Sequence, residues 1–127
     1  MLDETADPHP DSFYARTKLA AEKIVLDARL PDGRPLGTAL RFGAIYGGRI
    51  KGNYERLVRA LAHNRFIPIG SGANRRTLLY VKDAAAAVVL AACHPAAAGK
   101  VFNVSDGHFH SLCEIIAAIC GALGRRP

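Results

Sequence analysis

The sequence predicts an α/β fold, a parallel sheet with helices on its faces, and three observations carry that expectation. Longer helical stretches alternate with short apolar runs along the 127 residues. Glycine and proline punctuate the joins. Half of the residues are apolar and 22% are charged, which suits a single domain with a sizeable core. Helices interleaved with short apolar strands are the pattern of parallel strands joined by helical crossovers. Residues 1–127 are therefore read as one segment, without internal repeats or a low-complexity tail.

The elements follow in order. Residues 1–10 read as loop, where Pro8 and Pro10 impose extended backbone. Asp11 or Ser12 can cap a helix that runs to about Leu30, where Pro31-Asp32-Gly33 stops it. "GTALRF", ending at Phe42, suits a buried strand. "GAIYGGRIKGN" is glycine-rich and reads as loop. A second helix spans about Asn53 to His63. "RFIPIG" reads as a short strand, "SGANRR" as a turn and "TLLYV" as another strand. Lys82 to His94 is an alanine-rich helix ended by Pro95 and capped by Asp83. "KVFNV" is a strand and "SDGHFH" a loop. Ser111 caps a last helix that ends near Leu123, before Gly124.

The net charge of +6 favours an anionic partner such as a phosphate or a nucleotide. The basic residues are scattered, with Arg75-Arg76 and Arg125-Arg126 the only adjacent pairs, which argues against a nucleic-acid footprint. Cys93, Cys113 and Cys120 lack metal or redox spacing and read as three small buried side chains in a reducing compartment. His108 and His110 flank Phe109, but the five histidines show no metal spacing. The first ten residues do not look like a signal peptide, and the apolar run Ala84 to Cys93 is too short to span a bilayer. A soluble, cytoplasmic protein with no membrane partner is expected.

Tyr14 and Lys18 lie four residues apart in "SFYARTKLAAEKI", on one face of the first helix. An ammonium near a phenol favours the phenolate, and such a tyrosine can exchange a proton with a sugar hydroxyl or a ketone. The spacing alone is weak, since chance supplies about 0.16 such pairs in this composition. Its context is more specific. "FYARTKLAAEK", "ALRFGAIYG", "RRTLLYVKDAA", "VFNVSDG" and "SLCEII", in that order, resemble the extended short-chain dehydrogenase/reductase family of NAD-dependent nucleotide-sugar epimerases, dehydratases and 4-keto reductases. The resemblance covers nearly the whole chain.

The resemblance implies the C-terminal part of a Rossmann-like sheet with helices on its faces, plus the small substrate-binding region. No G-x-G-x-x-G turn follows a strand in this sequence. In the family that N-terminal glycine-rich βαβ unit, and a serine or threonine that assists the tyrosine, precede the catalytic helix. The expectation is thus a chain that has no turnover by itself.

Carried over residue by residue, Tyr14 matches the family's acid–base tyrosine and Lys18 its partner, which also contacts the cofactor ribose. Phe42 and Gly43 match the segment that passes the nicotinamide, although Phe42 reads equally as a core aromatic. Ala44 stands where the family often has a diphosphate-contacting asparagine. Asn53 resembles an asparagine that meets the nucleotide, and as a plain helix cap it would be equally at home. "FIPIG" resembles the strand beside the nucleobase, or an ordinary edge strand, since Pro68 lacks an N–H. Arg76 matches the arginine of the family's R-D-F-[IV]-[YH]-V-x-D segment, whose planar fork suits a diphosphate. The implied cofactor is NAD, with NADP as the alternative. The implied partners are a nucleotide-sugar substrate and, for the parent protein, a second copy in a homodimer. The leading functional expectation is a UDP-glucose 4-epimerase-like enzyme; the alternatives are a 4-keto reductase or dehydratase of the same family, or a non-catalytic sugar-nucleotide-binding remnant.

Overall fold

The computed structural model describes residues 3–49, 51–67 and 70–126. In chain order the elements are α1 (Phe13–Asp27), β1 (Ala39–Phe42), β2 (Ala44–Tyr46), α2 (Asn53–Ala62), β3 (Arg75–Arg76), β4 (Leu78–Tyr80), α3 (Val81–Cys93), β5 (Val101–Val104), β6 (His110–Ser111) and α4 (Leu112–Ala122). They fall into two compact units. One comprises Met1–Phe42 and Ala85–Val104, the other Gly43–Ala84 and Ser105–Pro127. No described helix is long and apolar enough to cross a membrane.

In the first unit β1 and β5 pair in parallel, from Ala39 opposite Val101 to Phe42 opposite Val104. Parallel neighbours need a crossover, and the helical α3 with a short 3₁₀ turn at Pro95–Ala97 lies between them in sequence. The Thr38 hydroxyl donates to the Ala97 carbonyl at 2.9 Å and ties the turn to the strand start. α1 opens at Ser12, whose hydroxyl accepts from the Ala15 amide at 3.1 Å. It closes at Asp27 rather than Leu30. Ala28 turns extended, and residues 28–36 fold back as a small antiparallel return, with Leu36 donating to Ala28 and Leu30 to Arg34. The Pro31-Asp32-Gly33 turn is the tip of that return, with Gly33 at φ +83°.

In the second unit β2 and β4 pair in parallel, Ala44 opposite Leu78 and Tyr46 opposite Tyr80. β3 and β6 pair antiparallel, Arg75 opposite Ser111 and Arg76 opposite His110. Leu79, Ala84, Ile115 and Cys120 form the buried centre. α4 carries a full capping box, the Ser111 hydroxyl accepting from the Glu114 amide and the Glu114 carboxylate accepting from the Ser111 amide.

Several sequence expectations need correction. The glycine-rich stretch after Phe42 contains a strand, β2, whose Ala-Ile-Tyr core is short enough to be hidden by its glycine neighbours. "SGANRR" and "SDGHFH" are not wholly irregular, because Arg75-Arg76 and His110-Ser111 find each other across the antiparallel bridge. Residues 65–67 form no strand, and Pro68 and Ile69 lie outside the described residues. Asp83 sits in the first turn of α3, which starts at Val81, so it complements the helix dipole instead of capping. Of the three cysteines only Cys120 is buried; Cys93 and Cys113 are exposed. Cys113 is the second residue of α4, and its thiol donates to the Ser71 carbonyl at 3.5 Å.

Candidate active site and anion-binding cleft

The Ser12 cap makes Tyr14 the second residue of α1 and sets Lys18 one turn further on. The Lys18 ammonium lies 5.5 Å from the centroid of the Tyr14 ring. Both side chains are exposed, Tyr14 by 70%. A tyrosine body is apolar, so such exposure leaves the ring face and hydroxyl open to a ligand. Two turns on from Tyr14, Glu22 takes a two-point hydrogen bond from Arg41 of β1, at 2.9 and 2.6 Å. That fork ties α1 to β1. Sequence reasoning passed over this pair, although a lone arginine in an apolar strand is itself a sign that a carboxylate waits nearby.

Phe42 ends β1 and is 38% exposed, so it is not the buried core aromatic of the plainer reading. Gly43 begins the second unit. A Cβ there would stand 3.1 Å from the Thr77 carbonyl and 3.2 Å from the Thr77 hydroxyl, tighter than ordinary contact. Glycine at 43 thus has a packing reason in the β2–β4 neighbourhood, where Ala44 donates to Thr77 at 3.0 Å.

The second unit holds a cleft of about 1090 Å³. Its floor includes Ala44 and Leu78 from the parallel strands and Ile115 from α4. Asn53 lines it at the start of α2. The N-cap of that helix is Gly52, at φ +149° and with no side-chain capping bond. The N-cap position thus falls to Gly52 rather than Asn53, and Asn53 lines the cleft as the first residue of α2. The acids that line the cleft are all engaged. Glu55 pairs with Arg59 at 2.8 Å, Asp106 with His110 at 2.6 Å, and Glu114 with the Ser111 amide and hydroxyl. Arg49 and Lys51 line the same cleft and have no acidic partner among the described residues. Three basic and three acidic side chains balance along the described lining, and Arg49 and Lys51, which no described carboxylate pairs, are the points that suit an anion.

Arg76 is exposed on β3, opposite His110. Burial pushes the Tyr54 phenol above its ordinary value, and the Arg76 charge draws it back down, which sets the guanidinium within electrostatic reach of this cleft residue. Asn53 and Arg76 thus serve one unit, while Tyr14, Lys18 and Phe42 belong to the other. The sequence did not single out Arg49, Lys51, Tyr54 or the Asp106–His110 pair as cleft residues. Their convergence comes from the tertiary fold, and no local period in the sequence announces it.

The chain is similar to known proteins over most of its length. It is 32% identical over 124 residues to UDP-glucose 4-epimerase of Vibrio cholerae, which covers 96% of this chain and 38% of that protein. It is also 32% identical to 2-alkyl-3-oxoalkanoate reductase of Stenotrophomonas maltophilia, over 92% of this chain and 37% of that one. Among solved structures, MoeE5 in complex with UDP-glucose and NAD matches with a TM-score of 0.84 and 32% identity, over 99% of this chain and 44% of the other. The chain thus spans well under half of the proteins it resembles. Such neighbours establish the Rossmann-like α/β class that the sequence predicted, with parallel strand pairs and helices in place. The family model for the NAD dependent epimerase/dehydratase family matches residues 2–105, and the chain belongs to that family.

Proposed function

We propose that this chain is the catalytic-helix and substrate-binding part of an NAD-dependent nucleotide-sugar epimerase resembling UDP-glucose 4-epimerase. The observation that carries the reading is the Tyr14–Lys18 pair, one turn apart and open to solvent on a helix clamped by Glu22 and Arg41. Arg49 and Lys51 of the cleft, unpaired among the described residues, support a diphosphate-bearing substrate over an uncharged ketone.

The residues present suit the nicotinamide-ribose end of a dinucleotide. Tyr14 and Lys18 are uncovered, and Phe42 offers an exposed aromatic face at a strand end. When bound, the cofactor supplies the hydride chemistry. Tyr14 takes the proton from the sugar hydroxyl and returns it to the ketone. Lys18 favours the phenolate that Tyr14 must be before it takes the proton and again after it returns it, and Lys18 donates hydrogen bonds to ribose. Arg76, Arg49 and Lys51 hold the diphosphate, with Asn53 as a neutral donor at the start of α2.

The test is a chimaera in which this chain replaces the matching 124 residues of the Vibrio cholerae relative. We expect it to convert UDP-glucose to its 4-epimer, whereas the 127-residue chain alone gives no turnover. Tyr14→Phe in the chimaera should lower kcat by about 10²–10⁴-fold, the usual worth of a positioned acid–base group. An active chimaera that is indifferent to Tyr14→Phe would remove the tyrosine from the mechanism.

A further inference from the structure

Beyond assigning the cleft to a nucleotide sugar, we propose that His110, oriented by Asp106, is a protonation-gated recognition group for the substrate diphosphate. This rests on the reading above and adds a pH response to the same cleft.

His110 lines the cleft, and its Nε2 sits 2.6 Å from Asp106 Oδ2. Asp106 is itself held in place. Its amide donates to the Leu78 carbonyl at 2.8 Å, and its Oδ1 accepts from the His108 amide at 3.0 Å. A carboxylate on Nε2 decides the chemistry of the other ring nitrogen. In the neutral ring Nε2 carries the hydrogen toward Asp106, so Nδ1 is a lone-pair acceptor. An acceptor cannot hydrogen-bond a phosphate oxygen. Protonation converts Nδ1 into a charged N–H donor without moving the ring. One proton therefore switches the group from repelling an anion to binding it.

The surroundings favour that use. Directly across the β3–β6 bridge stands Arg76, and next to it Arg75 faces Ser111. The His108 ring lies 6.3 Å from His110, centroid to centroid. From α4, Glu114 is spent on the Ser111 amide and hydroxyl. From α2 come Tyr54 and the internally paired Glu55 and Arg59. Arg49 and Lys51 complete the basic lining. Burial pushes the Asp106 carboxyl up, but the His108 amide and the His110 ring outweigh it and hold it below its ordinary value. Asp106 thus stays ionised throughout the histidine range and serves as the positioning residue.

The experiment measures the affinity of the 127-residue chain for UDP-glucose between pH 5.5 and 8. That probe is chosen because its diphosphate is esterified at both ends and does not itself titrate in the range. Affinity should rise about tenfold as pH falls through the histidine range, the worth of one charge-assisted hydrogen bond. His110→Gln should flatten the profile, His108→Gln should leave the step in place, and Asp106→Ala, which removes the group that orients the ring, should shrink the step. In the unaltered chain, saturating UDP-glucose should shift the His110 ring titration upward by about one pH unit, the linkage counterpart of the tenfold gain. Binding that is flat with pH, with an unshifted His110 ring, overturns this inference and leaves the nucleotide-sugar reading standing. Absence of binding at every pH removes both.

Discussion

Arg41 places a charge in an otherwise apolar strand, and Glu22 meets it with both carboxylate oxygens. Hydrogen bonds from Arg41 hold the Glu22 carboxyl below its ordinary value against the opposing effect of burial. A carboxyl depressed in the folded state contributes stability above its unfolded pKa of about 4.3 and loses it as pH falls through the lower, folded value. Glu22→Gln should therefore cost about 1 kcal/mol at neutral pH, and the gap to the parent chain should be smaller at about pH 3. Denaturant unfolding at the two pH values checks this; an equal gap at both would mean that the ion pair contributes nothing. Local spacing made Tyr14 and Lys18 legible, because i and i+4 on a helix are neighbours by geometry. Glu22 and Arg41 are 19 residues apart, and no local period joins them.

Elements with strong local chemistry could be read from the sequence, and those defined by pairing could not. The Ser111–Glu114 capping box announces α4, and Ser12 announces α1. β2 has three residues between glycines, so only its ladder with β4 marks it as a strand. The turn after β2 shows why those glycines matter. Gly47 has φ +139°, and a Cβ there would lie 2.5 Å from Val81 Cγ1 and 3.1 Å from Tyr80 Cε2. Its neighbour Gly48 faces nothing within 4 Å. Gly47→Ala should destabilise the fold by about 1–3 kcal/mol through combined strain and overpacking. Gly48→Ala should melt close to the parent chain. Equal melting temperatures for the two variants would show that the turn after β2 yields freely.

At the scale of the whole molecule, the α/β class was legible because helices and strands alternate, and so were the stretches that become β1 and β5. The cleft was not, since its basic lining comes from a loop, its neutral donor from α2 and its histidine from β6. Apolar side chains remain outside on the first unit, with Val89 63% and Leu90 64% exposed on α3. That exposure agrees with a chain covering 38% of its Vibrio cholerae relative. The cleft beside Arg76 is read as the site that receives a nucleotide sugar. The most direct measurement is the amide NMR spectrum of the 127-residue chain with and without UDP-glucose, repeated for Arg76→Ala. Shifts are expected at Asn53, Tyr54 and His110 that need about tenfold more ligand in the variant, the loss expected for one charge-assisted contact. A dispersed spectrum that UDP-glucose leaves unmoved at millimolar concentration would contradict it.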